Sequence, residues 1–167
     1  MDNWSSYSKK KMIPPDQLSA KIDELRKAKK SISTLNGSFD LLHAGHLHMI
    51  YEASQLADVL IMALNTDRSI QEYKSPLRPI IPLEYRLQMI SALSFVDYVT
   101  WFDETNPIRI LNVIKPDVHV NGAEYGSNCI EAETVKNNGG RLHIVELIPG
   151  LSTSQIVNKI TAITGSS

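Results

Sequence analysis

The run from Asp58 to Leu64, DVLIMAL, narrows what this chain can fold into more than any other feature. From Val59 onward it is continuously apolar, so a strand made from it offers no polar face to water and must be covered on both sides. A parallel sheet with helices packed on its two faces provides that cover. The rest of the chain alternates in the matching way. Ser31 to Leu35, Tyr98 to Phe102, Val118 to Val120 and Arg141 to Val145 read as further strands. Between them, apolar residues recur at helical spacing. Leu18, Ile22, Leu25 and Ala28 follow Pro14-Pro15-Asp16. Leu47, Ile50 and Tyr51 form the inner face of a helix that begins near Gly45. Leu83, Leu87, Ile90 and Leu93 follow a loop holding Pro76, Pro79 and Pro82. Asn106 reads as an N-cap before Pro107, and Asn138-Gly139-Gly140 as a helix stop. Ser152-Thr153-Ser154-Gln155 has capping-box spacing, with Ile156, Val157, Ile160 and Ile163 behind it on one face. The pattern predicts an α/β fold: a Rossmann-like, doubly wound parallel five-stranded sheet with helices on both faces. The domain spans 31–163, after a polar N-terminal extension and leading helix over 1–30 and before a tail over 164–167. The first dozen residues are polar and are expected to fray. Sheets of this kind bind ligands beyond the carboxyl ends of the strands, at the switch point of strand order.

Composition limits the partners. At 167 residues, 43% apolar and 21% charged, the chain is ordinary globular protein with one sizeable core. A formal net charge of -1 gives no long-range pull toward nucleic acid or an anionic membrane, so an anionic ligand must be held by local groups. Cys129 is the one cysteine, which excludes an intrachain disulfide and suits a reducing, cytoplasmic location; no nucleophile motif surrounds it. Lys9, Lys10 and Lys11 are not followed by an apolar segment, so no signal peptide is read there.

The chemistry concentrates in Asn36-Gly37-Ser38-Phe39-Asp40-Leu41-Leu42-His43-Ala44-Gly45-His46, where the first strand gives way to a helix. A helix start exposes unpaired N–H groups and the positive end of its dipole, which suits phosphate. Gly45 removes a side chain where His43 and His46 approach one ligand, and imidazoles three residues apart on a starting helix share a face. Such rings can donate to phosphoryl oxygens without burying fixed charge. The pair could instead bind metal, but Asp40 is the only further ligand candidate nearby, short of a zinc set. No protein-held metal site is expected.

Together, NGSFDLLHAGH, ALNTD, RPIIPLEYR, SFVDYV, NGAEY and GLSTS resemble the HxGH-type cytidylyltransferase-like superfamily, from Asn36 to Ile160. Within it, the chain is similar to heptose 1-phosphate adenylyltransferases and also to glycerol-3-phosphate cytidylyltransferases. The resemblance implies a nucleotidyltransferase that moves a nucleoside monophosphate from a triphosphate, with ATP favoured, to a sugar phosphate and releases pyrophosphate. It implies that His43 and His46 stabilise the transition state and that Lys74 covers the phosphates. Gly37, Ser38, Phe39, Gly45, Ser152 and Thr153 would hold the nucleotide; Asp40, Asn65, Asp67, Arg78 and Arg109 would hold the acceptor. Mg²⁺ would arrive with the nucleotide. A homodimer is expected, with a separate sugar kinase upstream. Arg86, early in a helix where its charge opposes the dipole, calls for an anionic partner. Asp97 reads as structural. Asn121 stands where the heptose enzymes commonly carry lysine, Glu124 replaces an aspartate, and Leu147 stands near an arginine of the glycerol-phosphate enzymes. Cytidylyl transfer to glycerol 3-phosphate is the alternative reaction, and a non-catalytic nucleotide-binding regulatory module the alternative from another class.

Overall fold

The computed structural model describes residues 3–146 and 152–165. Leu147 and the first two residues of GLSTS, Gly150 and Leu151, lie outside the described residues, as does the end of the expected tail. The sheet has five strands, all parallel: β1 (Ile32–Gly37), β2 (Val59–Asn65), β3 (Tyr98–Phe102), β4 (Val118–Gly122) and β5 (Arg141–Val145). Their spatial order is β3-β2-β1-β4-β5. The order reverses between β1 and β4, which places the predicted switch point beside the carboxyl end of β1.

Strand β2 explains its own sequence. All seven of its residues are buried. Leu60, Met62 and Leu64 enter one core layer, with Leu35, Ile50, Leu87, Ile90, Val99 and Val120. Val59, Ile61 and Ala63 enter the other, with Ile22, Leu25, Ile32, Ile110 and Ile114. Helices α3 (Ala44–Ser54) and α5 (Leu83–Ser91) contribute to the first layer, and α2 (Leu18–Lys27) and α6 (Ile108–Ile114) to the second. The remaining helices are α1 (Trp4–Lys9), α4 (Asp67–Tyr73), α7 (Glu131–Asn137) and α8 (Thr153–Thr164). Asp97 is structural, as expected: its carboxylate accepts from the Leu60 amide at 2.8 Å and fixes the start of β2.

Three expectations change. Leu47 and Tyr51 are not on the inner face of α3; they are 36% and 50% exposed, while Gly45, Ile50 and Ala53 are buried. Residues 3–12 do not form a detached polar tail. Asn3 caps α1, Trp4 Nε1 donates to Gln88 at 2.7 Å, Lys11 Nζ donates to the Leu93 carbonyl at 2.8 Å, and Met12 pairs with Val99 beside β3. Asn106 cooperates in the start of α6, its side chain accepting from Ile108 N at 3.2 Å, but the N-cap position is Pro107.

His119, on β4, is fully buried; its Nδ1 lies 2.8 Å from Thr34 Oγ1, and its Nε2 has no partner. Burial pushes its pKa down to about 4. The folded state therefore holds it neutral, a contribution complete above the unfolded value near 6.5 and lost as pH falls toward 4. Between pH 7 and pH 4, unfolding free energy in urea should fall by about 3 kcal/mol more in the wild type than in His119→Leu. Equal pH slopes in the two proteins would contradict this.

Candidate active site

The turn after β1 is built around a non-glycine residue in left-handed backbone. Phe39 has φ 46°, a conformation that costs energy for a residue with a side chain. The ring is 4% exposed, so burial offsets that cost. A Cβ at Gly37 would lie 3.2 Å from the Phe39 ring, which is why a residue without a side chain fits there.

Beyond the turn, α3 begins with His43 in the N-cap position and no side chain capping its first amides. Those amides stay available to an anion. The rings of His43 and His46 stack, with centroids 3.8 Å apart and planes at 24°. Phe39 presents its edge to His46 at 5.3 Å. Nδ1 of each histidine is buried without a well-formed hydrogen bond. Burial, then the neighbouring charges of His43 and Lys74, pushes the His46 pKa down to about 4, against a weaker pull from the Leu41 carbonyl. Burial also lowers that of His43. Below the unperturbed range, both rings are neutral near pH 7 and can donate without charging the site.

Lys74, which follows α4, donates from Nζ to Ser38 Oγ at 3.0 Å. Desolvation of the ammonium, then the nearby charge of Arg78, lowers its pKa, while Asp40 opposes them. Ser38 and Lys74 thus meet at the turn.

Arg86 explains how the loops are held. Its guanidinium is fully buried on α5 and bonded to three carbonyls: Nε to Ile81 at 2.9 Å, one terminal nitrogen to Ser38 at 2.6 Å, the other to Asn65 at 2.8 Å. The latter nitrogen also pairs with the Asp67 carboxylate at 2.7 Å. Arg86 therefore has the anionic partner that its place in the helix called for.

Several residues expected on the acceptor have partners within the protein. Asp40, 1% exposed, accepts from the Ile80 and Ile81 amides at 2.8 Å each, and Arg78 Nε lies 2.8 Å from its other oxygen. Asp67 accepts from the Leu83 amide at 2.9 Å as well as from Arg86. Asp40, Arg78 and Asp67 thus fasten the 78–83 loop to the ends of β1 and β2. The Arg109 side chain is 82% exposed and pairs with Glu104 at 2.6 Å. Asn65 stays at the cleft, its amide donating to Ser69 Oγ at 2.9 Å.

The cleft is a cavity of ≈ 310 Å³ beyond β1, β2 and β4, lined by Asn36, Gly37, Ser38, Asn65 and Lys74. Thr105 to Pro107 and the stretch from Cys129 to Glu131 form further walls, with Asn121 between. Cys129 and Glu131 carried no ligand role in the sequence reading; Asn121 was marked there as standing where the heptose enzymes commonly carry lysine, and it sits one residue before the end of β4 at the switch point. The Cys129 thiol is pushed up, chiefly by burial, so it is a poor nucleophile. Ser152 caps α8 through Gln155 N at 3.2 Å. Ser152 and Thr153 do not line this cavity. Among the described residues no group of three His, Cys, Asp or Glu could hold a metal ion, and no helix is long and apolar enough to cross a membrane.

Residues 34–161 match the cytidylyltransferase-like family model. The chain is 38% identical over 146 residues to the bifunctional protein HldE of Hahella chejuensis, and the match covers 87% of this chain and 31% of that protein. It is 39% identical over 148 residues to the bifunctional protein HldE of Methylobacillus flagellatus, covering 88% of this chain and 30% of the relative. The chain thus spans about a third of the length of these curated relatives. The lipopolysaccharide core biosynthesis protein of Thermoplasma volcanium superposes with a TM-score of 0.58 at 28% identity, over 71% of this chain and 97% of that one. The pantoate-beta-alanine ligase of Francisella tularensis shares the fold, with a TM-score of 0.62 at 17% identity over 92% of this chain and 79% of the ligase.

In proton NMR the His46 ring should titrate with a midpoint of about 4 in the ligand-free protein, because burial, the stacked His43 ring and the Lys74 ammonium oppose its charging. A midpoint near the unperturbed value, roughly 6.5, would contradict the neutral stacked pair.

Proposed function

The chain belongs to the cytidylyltransferase-like family, and from that membership we propose that it is a nucleotidyltransferase that passes the adenylyl group of ATP to heptose 1-phosphate. The observation that carries the reading is the stacked, neutral His43–His46 pair at the open start of α3, with Lys74 reaching Ser38 across the same turn. The adenylyl and heptose assignments draw support from the motif resemblance, from likeness to HldE, and from likeness to a lipopolysaccharide core biosynthesis protein. The curated relatives are bifunctional and this chain spans about a third of their length, and we assign the transfer step to this stretch. A sugar kinase activity would supply the acceptor. The relatives do not favour the glycerol-phosphate alternative.

In the proposed reaction a phosphate oxygen of the acceptor attacks the α-phosphorus in line. A new P–O–P bond joins sugar phosphate and nucleoside, the bond to the β-phosphate breaks, and pyrophosphate leaves with the electron pair. No covalent enzyme intermediate forms, so catalysis is positioning plus stabilisation of charge spreading over phosphoryl oxygens. The ring N–H groups of His43 and His46 would donate to the α-phosphoryl oxygens, and the free amides of α3 would add the positive end of its dipole. Lys74 would meet the charge that develops toward pyrophosphate. Magnesium would enter bound to the triphosphate, as part of that substrate. Ser152 and Thr153, at the start of α8, would hold the triphosphate.

Replacing His46 by Ala should lower kcat and kcat/KM alike, by on the order of a hundredfold, and leave the KM for the triphosphate nearly unchanged, since the contact strengthens only in the transition state. Pyrophosphate release across ATP, CTP, GTP and UTP with heptose 1-phosphate checks donor and role together. Unchanged turnover in the variant would remove His46 from the mechanism, and turnover with CTP alone would overturn the adenylyl assignment.

A further inference from the structure

The cleft has a second polar wall that the transfer chemistry does not use. Asn121 on β4 is 3% exposed and Glu131 on α7 is 7% exposed, and both line the cavity. Asn121 Nδ2 donates to Cys129 Sγ at 3.2 Å and lies 3.4 Å from Glu131 Oε2. Sulfur is a weak acceptor, and 3.4 Å is long for an amide–carboxylate bond. Both side chains therefore keep bonding capacity in hand. Asn36, at the end of β1 and on the same cavity, has its Oδ1 buried with no partner. Buried polar groups are as a rule hydrogen-bonded, so under-bonded ones facing a cavity mark where a ligand's own polar groups belong.

The chemistry of the wall selects among ligands. Among the described lining residues Lys74 is the one cation and Glu131 the one acid. Lys74 stands on the β2 side of β1 and Glu131 beside β4, so the cavity favours phosphate on one side and disfavours it on the other. Amide and carboxylate groups together offer several acceptors and a donor, the set that recognises neutral hydroxyls. We infer that Glu131 and Asn121 are specificity-determining residues that read the hydroxyl groups of a polyhydroxylated acceptor phosphate, an assignment that rests on the transferase reading above. The phosphates of donor and acceptor lie on the Lys74 side of the cavity, and the acceptor's carbon skeleton extends toward β4. The nucleotide base, the competing occupant, would make the same residues sensors of the donor.

Steady-state pyrophosphate release by the full chain separates these cases, with ATP as donor and heptose 1-phosphate, mannose 1-phosphate or glycerol 3-phosphate as acceptor. In Glu131→Gln and Asn121→Ser the KM for both sugar phosphates should rise on the order of tenfold. The KM for ATP, and that for glycerol 3-phosphate with its short carbon chain, should stay within about twofold. An unchanged KM for the sugar phosphates, a rise confined to ATP, or an equal rise for every acceptor would each overturn the assignment. If the wild type turns over none of these acceptors, the transferase reading fails on its own. Calorimetric titration of mannose 1-phosphate then still decides the subsite: binding about tenfold weaker in Glu131→Gln supports it, and equal or absent binding in both proteins overturns it.

Discussion

A single buried guanidinium holds the loops at the carboxyl end of this sheet in register. Arg86 is fully buried and donates to Ile81, Ser38, Asn65 and Asp67. Those acceptors belong to the turn after β1, the end of β2, the start of α4 and the loop before α5. A buried cation is tolerated only when paired and fully hydrogen-bonded, and truncating one partner of such a pair typically costs about 3–5 kcal/mol. Arginine suits the place because its planar fork reaches several acceptors at fixed angles, which an ammonium cannot do. Asp40 completes the arrangement by accepting from Ile80 and Ile81. With the loops fixed, the groups meant for phosphate need little reorganisation when it arrives, which is how a preorganised site lowers a barrier.

The electrostatics follow from that arrangement. The chain is nearly neutral overall, so attraction for a triphosphate has to be local. In the proposed reading helix-start amides, neutral rings and the Lys74 ammonium would supply it, rather than a ring of fixed positive charge. Burial of His46 and its contact with His43 keep the pair uncharged. A charged pair stacked at that distance would be strongly repulsive. Neutral donors stabilise charge as it develops without holding the ground state too tightly.

Much of the fold was legible because it rests on periodicity. The continuous apolar run of β2 implied cover on both faces, and both core layers claim its residues in alternation. The turn from Asn36 to His46 was legible because helix starts and histidine spacing are local. Asp40, Asp67 and Arg78 were harder: an acidic or basic residue at a strand end serves equally to bind ligand or to tie loops, and only tertiary contacts separate the two. For Arg86 the unfavourable place in the helix dipole did announce an anionic partner. Leu47 and Tyr51 were misplaced because α3 buries a narrow stripe of small and aliphatic residues. Glu131 and Asn121 were invisible as a pair, since ten residues separate them and only the switch-point topology brings them together.

The dependence of the site on Arg86 can be measured directly by amide hydrogen exchange in Arg86→Lys. Lysine keeps the charge but not the fork. Exchange at Ile80, Ile81 and Leu83, whose amides donate to Asp40 and Asp67, should accelerate on the order of tenfold or more beyond any acceleration of amides in β4, such as Val120, which follow the global stability. Unchanged exchange at those three amides, or an equal acceleration across the whole sheet, would contradict the claim that this one side chain organises the site.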